Sequence, residues 1–375
     1  MASVPAQRAV WGIGLQADRL GDTAPVVSAI DWYRFRVPTI SGGNMQDQST
    51  LPLEIGGPLT PTGGFKSGAY FAQEVDIIPR LEDTLGWLLL ATLGNVSSIT
   101  GQKYSAAGWS TNTGATGHLF RFNPDDHSDL PYLAARTLIP GVNNAANRGL
   151  LGYDCKASGL RLNVPGAGLI TGRFGVQGRV PMMPDTAAVN AWTWENGYEG
   201  SKSIAHAGKG ELTIGSTLPK VTGLTIDFTN TLTAPRDEFI VGSYFPDDVQ
   251  VLTRAVSMRA SMKWENSDLW SLLYNGATTG ADWSNLPYFS ETVGAVRGFF
   301  FEAQSPQNID GASVPYAIRV MADNVMLSCD PASLRLRAGG IIEFMVNIDV
   351  LQPDNTLLDY VQVAIDNDTA SYVAP

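Results

Sequence analysis

Val256-Ser257-Met258-Arg259-Ala260-Ser261-Met262-Lys263-Trp264 is apolar at every even position and polar at every odd one. Successive side chains of a strand point to opposite faces, so this stretch predicts a half-buried β-strand. The same period recurs elsewhere. Ile170, Gly172, Phe174 and Val176 alternate with Thr171, Arg173, Gly175 and Gln177. Ile342, Phe344, Val346, Ile348 and Val350 alternate with Glu343, Met345, Asn347 and Asp349. One packed face and one wet face is the signature of antiparallel sheet. Two helices stand against these strands. One is expected over 81–93, with Glu82 and Asp83 in its first turn and Gly94 just past its end; the other over 267–274, with Asn266 or Ser267 as cap and Gly276 as stop. The chain therefore reads as mostly β, an α+β arrangement with few helices.

The landmarks occur twice in the same order. The helix-ending glycines Gly94 and Gly276 are offset by 182, and the dipeptides Pro131-Tyr132 and Pro315-Tyr316 by 184. Cys155 and Cys329, and the triplets Leu160-Arg161-Leu162 and Leu334-Arg335-Leu336, are both offset by 174; Leu169-Ile170 and Ile341-Ile342 are offset by 172. Loops absorb such small drifts. The repeat predicts two tandem domains over 1–190 and 217–375, joined by a linker at 191–216. Within the first domain, 41–64 carries six glycines and three prolines and no strand pattern. A segment of that length is expected to be a functional loop.

Composition narrows the function. The 375 residues are 44% hydrophobic and 16% charged, enough apolar material for more than one core. The net charge of −11 disfavours a protein that grips nucleic-acid phosphates. It is uneven: residues 1–200 hold 14 basic and 16 acidic side chains, residues 201–375 hold 11 and 20. Two cysteines build no disulfide framework, and both are expected to be reduced and unpaired. Residues 1–22 lack a signal-peptide pattern, and the apolar run 85–93 is about half a membrane span, so an intracellular chain without membrane contact is expected.

No constellation argues for catalysis, a metal or a cofactor. Asp125-Asp126-His127-Ser128-Asp129 offers carboxylates and an imidazole, but a solvated turn after Pro124 is the plainer reading. Cys155, with His118 or His206 as base, is better read as a buried thiol, since its counterpart Cys329 has no nearby histidine in the repeat. The glycines of 172–178 lie inside an alternating strand, which fails the context of a phosphate loop. Gly208-Lys209-Gly210 lacks a Walker pattern. Trp192 and Trp194 offer a stacking platform, although packing of the join is the commoner use of such residues.

Three stretches carry a likeness: Ser67-Gly68-Ala69-Tyr70 through Ile78-Pro79 and the helix to Gly94; Gly152-Tyr153-Asp154-Cys155-Lys156-Ala157-Ser158-Gly159-Leu160-Arg161-Leu162 with its hairpin; and Val221-Thr222-Gly223-Leu224-Thr225-Ile226-Asp227-Phe228-Thr229-Asn230 leading through Arg254 to Gly276. In these the chain resembles the tail tube, or major tail, proteins of long flexible-tailed bacteriophages. The resemblance implies tube domains, each a β-sandwich or partly rolled barrel flanked by one helix. Six domains make a ring, and stacked rings make a conduit for DNA ejection. Two domains per chain imply a trimeric ring with pseudo-sixfold symmetry. The implied partners are other copies of the chain and further tail proteins: tape measure, tail terminator and distal tail. Double-stranded DNA would pass without specific binding. The place implied is the virion tail, assembled in the host cytoplasm.

Two surfaces are expected to matter. In the loop 41–64, Gly43, Asn44, Gln46, Asp47, Leu51, Leu53 and Leu59 would form an arm to the next ring. In the second domain Glu343, Asn347 and Asp349 share a polar face that either lines the bore or meets outside solvent. Rival readings are a β-sandwich adhesin that binds or degrades glycans, with Trp192, Trp194 and 125–129 as its site, or another virion part such as a tail terminator or capsid decoration protein.

Overall fold

The computed structural model describes residues 8–17, 19, 30–50, 64–105, 107–122, 130–141, 147–196, 203–215, 218–263, 297–329, 342–351 and 360–372. In chain order the strands are β1 (Val10–Leu15), β2 (Trp32–Phe35), β3 (Thr39–Thr50), β4 (Gly64–Ile77), β5 (Val96–Ser105), β6 (Gly108–Phe122), β7 (Leu133–Ile139), β8 (Arg148–Pro165), β9 (Thr171–Met182), β10 (His206–Ile214), β11 (Val221–Leu232), β12 (Val251–Lys263), β13 (Arg297–Asn308), β14 (Pro315–Cys329), β15 (Glu343–Val350) and β16 (Val361–Asn367). The helices are α1 (Thr84–Leu93) and the short α2 (Thr186–Asn190). All sixteen strands belong to one hydrogen-bonded sheet, and the fold is mostly β, as expected.

The three alternating stretches are β12, β9 and β15. Their apolar sets are buried: Val256, Met258, Ala260 and Met262 on β12, and Phe344, Val346 and Ile348 on β15. The helix expected over 267–274 lies outside the described residues. Two expectations are corrected. Residues 41–50, read as irregular, belong to β3, which pairs with β4 from Thr39↔Asp76 to Thr50↔Gly64. Residues 206–214, read as linker, form β10, which pairs with β13. Each strand buries a single residue, so neither carries the apolar alternation that marks a half-buried strand.

A four-strand order occurs twice. β3-β4-β9-β8 matches β11-β12-β15-β14, each a hairpin followed by two strands that come later in the chain. The two runs join edge to edge through β8 and β11, from Gly223↔Pro165 to Thr229↔Gly159. On β8 the edge away from β9 carries β7 first and β11 beyond it. On β14 the edge away from β15 carries β13 as far as Val325, and among the described residues 326–329 have no partner there. A second link crosses the chain where β16 pairs with both β14 and β6. One main core draws apolar side chains from both runs and from α1.

Helix α1, Thr-Leu-Gly-Trp-Leu-Leu-Leu-Ala-Thr-Leu, is buried at every position, which suits a helix apolar on all sides. It ends at Gly94, whose φ of 83° is left-handed and whose N–H donates to the Leu90 carbonyl. Residues far along the chain satisfy two of the orphan carbonyls at this end. Asn230 on β11 donates to the Thr92 carbonyl at 3.0 Å. Arg254 on β12 donates to the Leu93 carbonyl at 2.8 Å and lies 4.6 Å from the Phe122 ring centre. Just ahead of the helix the Tyr372 hydroxyl donates to the Asp83 carbonyl and Thr369 to the Glu82 carbonyl, which ties residues 369–372 to its start. A side chain at Gly86 would start 2.0 Å from the Tyr372 ring, which explains a glycine inside this helix.

Candidate functional site

The polar residues of the two four-strand runs share one open face. Directly opposed residues of neighbouring strands project to the same side. One transverse row therefore runs Thr39, Asp76, Arg173, Arg161, Asp227, Ser257, Asp349 and Met326, crossing eight strands. The adjacent row runs Thr171, Asn163, Thr225, Arg259, Asn347 and Ser328. Lys263 stands opposite Glu343. The structure thus places Glu343, Asn347 and Asp349 on one face, with Glu343 and Asp349 exposed. It adds residues that sequence reasoning passed over: Asp76, Arg161, Arg173 and Asp227. Their signal lay in the polar members of the same alternating strands.

On this face Arg161 and Arg173 meet carboxylates and Arg259 meets a neutral amide. Arg161 Nε donates to Asp227 at 2.8 Å. Arg173 Nε donates to Asp76 at 3.0 Å, with Glu74 at 3.6 Å. Arg259 Nε donates to the Asn347 amide oxygen at 2.9 Å. Between them the face is lined by small or hydroxyl residues, among them Gly159, Gly175, Thr229 and Ala255, also in register.

The second surface is the β3–β4 ribbon. Gly43 is buried, and a side chain there would meet Leu150. Asn44 donates to the Met182 carbonyl at 2.9 Å. Asp47 accepts from Arg236 at 2.7 Å, and Gln46 is exposed. Leu51, Leu53 and Leu59 lie outside the described residues. The ribbon is flanked by the β11–β12 connection: the Ala69 N–H donates to the Tyr244 carbonyl, and Gly68 lies against the Phe239 ring.

The other candidates resolve as packing. Arg136 on β7 lies within 4.1 Å of the Trp32 ring centre, 4.0 Å of Trp194 and 4.9 Å of Trp192. Burial pulls its guanidinium down to about 9, still cationic at neutral pH. The tryptophan pair therefore holds the chain after α2 onto β7. Cys155 is a free thiol, fully buried, and burial pushes it well above its ordinary value, which removes it as a nucleophile. The side chain of Cys329 and residues 125–129 lie outside the described residues. The glycines of 172–178 lie within β9. Among the described residues no group of His, Cys, Asp and Glu could hold a metal ion, and no helix is long and apolar enough to cross a membrane.

His118 and Asp83 tie the last residues to the core. His118 sits between Ser98 at 2.7 Å and Asn367 at 2.8 Å, and packs edge-on against Tyr372. Burial lowers it to about 4. Burial raises Asp83 to about 6, aided by Asp368 and Glu82, while its hydrogen bond from Trp87 opposes the rise. The signs are opposite. Asp83 favours the fold when protonated, a contribution lost as pH rises toward 6; His118 favours it when neutral, a contribution lost as pH falls from 6.5 toward 4. Asp83→Asn cannot ionise. Relative to wild type it should gain about 3 kcal/mol at pH 8 and well under 1 kcal/mol at pH 4. Urea midpoints at the two pH values check this, and equal differences at both would refute it.

No curated protein matches the chain at a significant level. A family model described as phage tail tube protein matches residues 21–290, well over half the chain and including α1, the β8–β11 seam and the open polar face up to β12. The chain belongs to the phage tail tube protein family, a structural component of the virion tail.

Proposed function

We propose that three copies of this chain close into a ring of six similar domains, and that stacked rings form the tube through which double-stranded DNA leaves the virion. The observation that carries this reading is the repeated strand order, joined head to tail. The β8–β11 seam inside the chain supplies a template for the seam between chains. Among the described residues the edge of β14 is unpaired at 326–329 and β3 pairs only with β4, and these two edges are offered as its halves. Such a contact is heterologous, and it closes when the rotation per copy divides the circle. Closure also removes sheet edges that would otherwise aggregate.

The dimensions agree. Three runs of eight strands give about twenty-four, and at ~4.8 Å per strand the barrel is about 37 Å across before tilt widens it. With the apolar face and α1 on one side, the small-residue polar face is the one left to line the bore. Strand ends then point along the stack, which places the β3–β4 ribbon toward the next ring. Tape measure, terminator and distal tail proteins are the expected neighbours within and at the ends of the tube, with assembly in the host cytoplasm. The glycan-binding alternative loses its platform, because Trp192 and Trp194 are already stacked on Arg136. Mass measurement of isolated rings should give three chains of 40.2 kDa each. Six chains per ring would overturn the reading.

A further inference from the structure

The open face holds arginines that a DNA conduit should avoid. Phosphate contacts from Arg and Lys supply most non-specific affinity for DNA. Arg161 and Arg173 are about half exposed, at 52% and 55% of the side chain, and lie side by side in the transverse row. Each is engaged by carboxylates on the next strand outward: Asp227 for Arg161, Asp76 and Glu74 for Arg173. Exposed pairs of this kind add about 0–1 kcal/mol to stability, too little to explain two of them in register at the centre of the face.

We infer that Asp227, Asp76 and Glu74 cancel Arg161 and Arg173 toward passing phosphate, weakening the grip of this part of the face on a DNA double helix. This rests on the bore assignment above and adds to it which residues act and how. Net negative charge alone would repel DNA from a distance. Local pairing is what stops a single guanidinium from catching a phosphate as the duplex slides past. Gly175, Gly159 and Ala255 in the neighbouring row offer no further polar grip, and Thr229 adds no charge.

Asp227→Asn frees Arg161 and is expected to leave assembly intact. Purified tubes would be pelleted at low salt with a short linear duplex or with closed circular duplex, which cannot thread a bore. Asp227→Asn tubes should retain about tenfold more linear duplex than wild type, lose it as salt rises, and retain no extra circular DNA. Arg161→Gln combined with Asp227→Asn should return to the wild-type level. Glu211→Gln, on exposed β10 away from the face, makes the same charge change and should retain nothing extra. If Asp227→Asn fails to assemble, Glu74→Gln with Asp76→Asn frees Arg173 and serves as the second variant. Retention no greater than wild type would overturn the inference. So would equal retention by Glu211→Gln, which marks net charge as the cause, or equal capture of linear and circular DNA, which puts the face outside. Failure of the wild-type chain to form rings would instead overturn the assembly reading itself.

Discussion

Phage carrying Glu343→Lys together with Asp349→Lys are expected to build normal tails and to stall, or greatly slow, in DNA ejection. Both residues are exposed on the open face, opposite Lys263 and Ser257. Neither is buried, so the fold should tolerate the change; the new lysine opposite Lys263 costs roughly 0.2–1 kcal/mol as a like-charge cross-strand pair. The effect on DNA is much larger. Each chain swaps two repelling charges for two attracting ones, and every ring along the tail repeats the swap. The defect should be greatest at low ionic strength, where the screening length reaches about 30 Å, and should shrink at high salt. Ejection rates from intact particles at two salt concentrations measure this. Wild-type rates at low salt, from particles whose tubes carry both changes, would place the face on the tube's exterior.

Arg254→Ala is expected to be the most damaging single stability change. It removes the donor to the Leu93 carbonyl and the cation over Phe122, and it leaves the end of a buried helix short of partners. Unsatisfied buried carbonyls and lost charged hydrogen bonds together predict a loss of about 3–4 kcal/mol. Asn230→Ala, which also withdraws a donor from Thr92, should cost about 2 kcal/mol. Because the two side chains are themselves hydrogen-bonded, the double variant should lose less than the sum. Urea unfolding of the purified chain tests this. An unchanged midpoint for Arg254→Ala would show that the helix end is satisfied without it.

The strands that were legible in the sequence are those with one dry face. β12, β9 and β15 write the burial of alternate residues directly into their composition. α1 was legible for a different reason, a largely apolar run ended by a glycine that takes a left-handed φ, although it starts at Thr84 with Asp83 as its cap rather than at residue 81. β3 and β10 were not, because hydrogen bonding to a neighbour sets their conformation while most of their side chains meet water. The roles of Asn230 and Arg254 were equally hidden, although both lie in a stretch that carries the family likeness. Their partners on α1 are more than 130 residues away, and no local pattern encodes such a meeting. The open face was half legible. Alternation put Glu343, Asn347 and Asp349 together, but only the register of eight strands aligns them with Arg161, Arg173 and Asp227.

The anchoring of α1 by β11 and β12 has a mechanical consequence. In a ring closed through its strands, the inter-strand hydrogen bonds would run around the circumference, so any outward load on the wall would reach them as hoop tension. Bonds pulled in that direction share the load along their ladder, so a joint with few pairs is weaker than one with many. The β8–β11 seam spans only Gly223↔Pro165 to Thr229↔Gly159, while β3 and β4 pair over their full length. Asn230 and Arg254 reach from the far side of that seam to a helix rooted in the near side. The helix thus acts as a tie-bar behind the joint, passing load from a narrow line of hydrogen bonds into the whole packed core.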